Sequence, residues 1–81
     1  MKTYRIVKVE WVDSINCRGW RDEAMIRQLE PASCVSSGIL VKTKRGSIGV
    51  ANSLGDGEIG DTIVITRRAI KKMEVLSKFR A

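Results

Sequence analysis

The sequence predicts a mainly β domain, a small SH3-like barrel of about five antiparallel strands with one inserted α-helix. Three observations predict it: short runs of alternating or β-branched residues recur along the chain, only one segment has a helical pattern, and a short helical turn precedes the last strand. With 81 residues, the chain is expected to form one domain, over residues 1–81, and closure would leave few free strand edges. The alternative is an open α+β sheet with the helix packed on one face.

The first strand is predicted over residues 5–12, where apolar side chains alternate with polar ones. Val7, Val9 and Trp11 then share one face, which is the pattern of a half-buried strand. The strand ends at residues 13–16, a polar cluster typical of a turn.

The only helical segment is predicted over residues 22–29. Asp22 suits the N-cap position, and Pro31 prevents the helix from continuing. The apolar residues that share one stripe of this helix are Met25, Ile26 and Leu29. We expect the stripe to lie on a sheet or to close one end of the barrel.

The second half of the chain is rich in strands. They are predicted over residues 35–43, 47–52, 62–66 and 71–76. Residues 44–46 fit a tight hairpin turn with a glycine in the left-handed conformation. Residues 54–61 hold three glycines and three acids, and we expect an exposed loop there. Residues 67–70 are predicted to form a single helical turn, and residues 77–81 a flexible tail.

Charge is unevenly distributed along the chain, whose net charge is +6. Residues 67–81 carry a net charge of +5 and residues 46–66 a net charge of −3. Such a field attracts polyanions or orients identical subunits, and the simpler interpretation is a solvated surface that keeps the protein soluble. No apolar stretch is long enough for a membrane span, and the N-terminal residues do not resemble a signal peptide. We therefore expect no membrane partner.

Metal and catalytic chemistry are not expected from this composition. The chain has no histidine and only two cysteines, Cys17 and Cys34, which are too few for a zinc site. Cys34 is interpreted as a small buried hydrophobe and Cys17, beside Arg18, as either an ordinary loop thiol or a reactive one. The acidic residues of 55–61 lack calcium-loop spacing because Ile59 interrupts them. We predict no enzyme, no catalytic residue, no cofactor, no metal and no small-molecule substrate.

Two tryptophans lie close together in the sequence. Trp11 falls on the apolar face of the first strand and is predicted to be in the core. Trp20 follows a glycine and is flanked by Arg18 and Arg21. It is either an exposed platform for stacking and binding or an anchor that holds the loop to the core.

A basic cluster near the C-terminus is the second candidate binding surface. Its members are Arg67, Arg68, Lys71 and Lys72. If the helical turn extends, residues four apart share a face and can reach successive phosphates. The cluster would be wider if it met the hairpin that carries Lys42, Lys44 and Arg45. The alternative is a solvated rim.

Several segments resemble small uncharacterised proteins that bacteriophages and prophages encode. The segments are residues 9–14 (VEWVDS), Gly19-Trp20, residues 34–41 (CVSSGILV) and residues 60–65 (GDTIVI) followed by a basic residue and Ile70. Members of that group often have a proline where this chain has Thr66, which puts the following turn in doubt. The resemblance implies a phage setting, a bacterial cytoplasm and a non-enzymatic accessory role.

We therefore expect a non-catalytic phage or prophage accessory module that binds a protein, either its own copies or another component. The residues expected to bind are those of the two candidate surfaces: Trp20, Arg18, Arg21, Arg67, Arg68, Lys71 and Lys72. The alternative is a small basic barrel that binds nucleic acid with the same cations, in which case affinity would fall steeply with salt.

Overall fold

Five antiparallel strands form one sheet in the computed structural model, which describes residues 2–81. The strands are β1 (Thr3–Asp13), β2 (Ala32–Lys44), β3 (Ser47–Gly55), β4 (Glu58–Thr66) and β5 (Ile70–Arg80). A short helix, α1 (Glu23–Arg27), lies between β1 and β2, and a 3₁₀ turn (Arg67–Ala69) lies between β4 and β5. The predicted mainly β fold with about five antiparallel strands and one helix is confirmed.

The sheet is open rather than closed. Its strand order is β4-β3-β2-β1-β5, so β4 and β5 are the two edges and do not pair with each other. Closure into a barrel is thus not confirmed, and the alternative of an open sheet fits the architecture. The helix of that alternative was expected to pack on one face, however, and α1 has no buried residue.

Strand β2 is shared between two parts of the sheet. Its first part pairs with β1, from Ala32 opposite Asp13 to Ile39 opposite Ile6, and its second part pairs with β3. A register shift between Leu40 and Lys42 interrupts the second pairing. Such a bulge bends a strand and increases its twist, which lets the two parts of the sheet face each other.

The core lies on the concave face of the bent sheet. Val7 and Val9 of β1 share one buried cluster with three residues of β3 and β4, namely Ile48, Val50 and Ile65. Because β2 separates β1 from β3, only a sheet that folds over itself can bring these side chains together. The predicted shared face of Val7 and Val9 is confirmed.

Trp11 lies at the border of this core. It is half-buried, packs against the buried cluster, and donates its indole Nε1–H to Ser36 Oγ at 3.0 Å. The hydrogen bond satisfies the polar end of the ring while its apolar part is removed from water. Trp11 therefore packs against the core, as predicted, but it is only half-buried.

Gly38 lies at a point of close approach between β2 and β3. A Cβ atom at this position would lie 2.5 Å from the carbonyl oxygen of Ala51 and 2.9 Å from Cγ1 of Val50. Real Cβ atoms do not approach a backbone oxygen so closely, so the bend of β2 requires glycine here.

Two predicted irregular segments are ordered strands. The expected loop over residues 54–61 is a tight hairpin in which only Asp56 and Gly57 separate β3 from β4. Both have positive φ, 45° and 75°, as a type I′ turn requires, and Asp-Gly favours that turn. The expected tail over residues 77–81 belongs largely to β5, which pairs with β1 as far as Arg80, and there Phe79 stacks on Tyr4 with ring centroids 5.7 Å apart.

Candidate binding surfaces

An exposed arm, residues 14–31, connects β1 to β2 and contains α1. Every residue of the arm is exposed. Trp20 is 99% exposed, which excludes its alternative role as a core anchor. Arg21 donates a guanidinium N–H to the carbonyl oxygen of Trp20 at 3.0 Å, and Gly19 has a φ of 76°. These local features shape the segment around the indole without covering it.

Helix α1 exposes its apolar stripe to solvent. Met25, Ile26 and Leu29 are each 42% exposed, so the expectation that they lie on the sheet or close a barrel end is wrong. The physical reason is that β3 and β4 already cover β1, whose Val7 is fully buried. The helix is also shorter than predicted, and its one ion pair, Arg27 to Glu23 at 2.7 Å, lies on the exposed surface.

Two basic segments meet beside the 3₁₀ turn. The backbone N–H of Arg67 donates to the carbonyl oxygen of Gly46 at 3.0 Å, which fixes the β2–β3 hairpin tip against the turn. The cations of the two segments, Lys44, Arg45, Arg67 and Arg68, are all exposed, and we call them the basic patch. A set of neighbouring exposed cations is what contact with successive phosphates or with an acidic protein surface requires.

The remaining two members of the predicted cluster lie on β5 rather than on a helix. The 3₁₀ turn ends at Ala69, so the predicted helical faces that would pair Arg67 with Lys71 and Arg68 with Lys72 do not form. Lys71 lies at a register shift between the paired residues Ile70 and Lys72. Both lysines are exposed, but they are not arranged with the arginines on one helical surface.

Lys72 is also engaged by carboxylates. Its Nζ lies 2.8 Å from Glu74 Oε1, and Glu10 lies directly opposite it on β1. The hydrogen bond and charge of Glu74 raise the pKa of Lys72, and Lys72 in turn lowers the pKa of Glu74. A lysine paired in this way is less available to a phosphate than the cations of the basic patch.

The arm and the 3₁₀ turn leave the sheet at the same end. Trp11, near the end of β1, is paired with Ile70, which directly follows the 3₁₀ turn. The arm begins shortly after Trp11, so the two segments that carry the predicted surfaces leave the sheet close to each other.

Sequence reasoning missed the exposed apolar residues of the two edge strands. They are Ile59, Ile63 and Val64 on β4, and Met73, Val75 and Leu76 on β5. The β-branched run in β4 was recognisable, but its place at an edge depends on the strand order. That order follows from tertiary packing and has no local signal.

The thiols and carboxylates of residues 2–81 form neither a disulfide nor a metal site. Cys17 is exposed and Cys34 half-buried, and both are free. Among residues 2–81, no group of three or more cysteine, aspartate or glutamate side chains is arranged to hold a metal ion. A cleft of about 430 Å³ lies between the β3–β4 hairpin tip and the paired residues Lys2 and Ala81.

Comparison with known protein families, curated proteins and solved structures finds no match to this chain. Within the part of the chain that the structure describes, no helix has the length and apolar character needed to cross a membrane.

Proposed function

We propose that the protein is a non-catalytic binding module whose arm docks on a protein partner. The observation that carries this proposal is the exposure of Trp20 together with the apolar stripe of α1. An isolated exposed hydrophobe is common, but a large indole followed by a helix with three half-exposed apolar residues is typical of an interaction surface. Tryptophan and arginine are also the residues most enriched at binding hot spots.

The arm supplies both parts of such a hot spot. Arg18 and Arg21 flank the indole, so a partner that buries the ring would also meet two cations. The partner best suited to this surface is a protein with an apolar groove and an acidic rim.

The proposed setting is a phage or prophage, with the protein acting in the cytoplasm of the bacterial host. This part of the proposal is supported by the resemblance of residues 9–14 and 34–41 to small phage-encoded proteins.

We also propose that the sheet is related to an SH3-like barrel and differs from it in being open between β4 and β5. The long shared strand β2 and the 3₁₀ turn before β5 support this relation.

The proposal is tested by affinity capture from bacterial lysate with three immobilised proteins. They are the natural chain, Trp20→Ala and the control Ile59→Ala, which removes an exposed apolar side chain near Lys2, at the opposite end of β1 from the arm. We expect a protein that the natural chain and the control retain and that Trp20→Ala loses, with at least tenfold weaker binding when it is purified. Equal retention by all three would reject the arm as the binding surface.

A second candidate function is nucleic-acid binding by the basic patch. The hydrogen bond between Arg67 and Gly46 favours it, because it brings four cations from separate segments together. Fluorescence anisotropy with single-stranded DNA, duplex DNA and RNA tests it at low and physiological salt. Binding that persists at physiological salt and prefers one of the three nucleic acids would support this function. Binding that is lost at physiological salt would show that the basic patch is an ordinary solvated surface.

A further inference from the structure

Strand β4 is an edge strand whose second half, residues 62–66, lacks the usual protection. Among residues 2–81 it pairs only with β3, so its other side presents backbone donors and acceptors to solvent. Natural edge strands are usually protected by charged residues, proline or very short length. Residues 62–66 of β4 contain no charge and no proline, and all five are β-branched.

The sequence of this edge is symmetric. Residues 62–66 read Thr-Ile-Val-Ile-Thr in both directions, and oppositely charged residues, Asp61 and Arg67, flank them. If two copies paired antiparallel about Val64, each Thr62 would face a Thr66, and the Asp61 and Arg67 that lie just beyond the paired segments would be brought close to each other. Identical β-branched pairs and opposite charges across a strand pair are stabilising arrangements.

The side chains also permit such a pairing. Val64 is 56% exposed, and its partner on β3 is Gly49, which places no side chain beside it. Ile65 is only 2% exposed and belongs to the core, so it holds the strand in place. Asp61 has a φ of 41°, which bends the strand there and limits regular pairing to the residues that follow.

We propose that two copies of this chain associate through their β4 edges, antiparallel and centred on Val64, to form a two-fold dimer with a continuous sheet. A two-fold interface must be complementary to itself, and the symmetric sequence with its opposite flanking charges has that property. An unrelated peptide strand would require neither feature, so a second copy is the occupant that these observations favour. This surface is distinct from the arm, and the proposal does not depend on the proposed function.

The pairing is tested first by disulfide cross-linking. In a Cys17→Ser background, Val64→Cys would place two thiols opposite each other at the two-fold axis, within the distance that a disulfide spans. Val75→Cys is the matched control, because Val75 is 50% exposed on the other edge strand, β5. We expect a covalent dimer from Val64→Cys and little from Val75→Cys under mild oxidation. Equal cross-linking of the two variants, or no cross-linking of Val64→Cys, would overturn the proposal.

A charge test measures the same interface without cross-linking. Arg67→Glu would place like charges close to each other at both ends of the paired segment and should weaken the dimer about tenfold in sedimentation velocity. Asp61→Asn added to Arg67→Glu removes that repulsion and should recover part of the loss. Lys78→Glu makes the same change of net charge on β5 and should leave the dimer unchanged. A monomer at all concentrations, or equal effects of Arg67→Glu and Lys78→Glu, would refute the two-fold β4 pairing.

Discussion

Gly38→Ala tests the bend of β2 that produces the fold. The added Cβ would lie 2.5 Å from the carbonyl oxygen of Ala51, which is backbone and cannot rotate away. Ala51 is paired with Ile39, the residue after Gly38, and it is nearly fully buried. Relief of the clash therefore requires the two strands to separate where they are hydrogen-bonded.

The expected cost follows from overpacking. Added methyl groups in a well-packed interior cost about 1–3 kcal/mol. The entropic gain from replacing a glycine offsets only about 0.4–1 kcal/mol of this, and only where the native conformation is unstrained. Because the contact is with backbone, we expect a net loss of about 2 kcal/mol in the free energy of unfolding. For a domain of this size, such a loss lowers Tm by roughly 8–16 °C.

The assay is thermal and urea unfolding followed by circular dichroism, with Gly55→Ala as the matched control. Nothing lies within 4 Å of the position that a Cβ would take at Gly55, and its φ is not positive. The control should unfold at the natural temperature or slightly above it. If Gly38→Ala proved as stable as Gly55→Ala, with the same m-value as the natural chain, the close approach of β2 and β3 at Gly38 would be refuted.

Three further predictions concern the surfaces. Trp20→Ala should leave Tm within about 1 °C of the natural value, since an exposed side chain adds little to stability; a lost thermal transition would contradict its exposure. If the basic patch binds duplex DNA, reversal of its three arginines to glutamate should reduce the slope of log K against log salt by about 2–3, whereas reversal of Lys78 should not. Glu74 should titrate at lower pH in the natural chain than in Lys72→Met, because Lys72 lowers its pKa. The stabilisation from this lowered pKa is present above the pKa of Glu74 in the unfolded chain and is lost as pH falls through the lower, folded value. Carboxyl-carbon NMR titrations with the same midpoint would show that the ion pair does not form in solution.

Local patterns were sufficient to predict most of the strands and the buried side of the sheet. Val7 and Val9 alternate with charged residues, so one face of β1 was evident. Gly46, with a φ of 90°, occupies the predicted hairpin. The turn at Asp56-Gly57 also had a recognisable signature, but the neighbouring glycines and acids made the segment look irregular.

The arrangement of the edges and of the arm required information that local patterns lack. The apolar stripe of α1 indicates that some surface could cover it, but not which one. In this chain the concave face is already filled by residues such as Ile48 and Ile65. The hydrogen bond between Arg67 and Gly46, by contrast, continues the β3–β4 ladder and follows from the register that the turn at Asp56-Gly57 sets. The residues of the basic patch could thus be listed from the sequence, and their juxtaposition was missed because residues 54–61 were interpreted as a loop.

The separation of arm and sheet gives a last prediction. Asp13 and Ala32, which flank the arm, are directly paired across β1 and β2. Replacement of residues 14–31 by Asn-Gly should therefore close a tight hairpin without moving either strand. The arm contributes no buried side chain, and shortening the connection lowers the entropic cost of closure by about 2 kcal/mol.

We therefore expect the shortened protein to fold with a Tm equal to or above that of the natural chain, and to lose the partner that Trp20→Ala loses. Unfolding followed by circular dichroism and binding to the purified partner measure the two effects separately. A shortened chain that failed to fold would show that the arm stabilises the sheet. One that folded and still bound the partner would place the binding surface on the sheet, where the exposed β5 edge would be the next candidate.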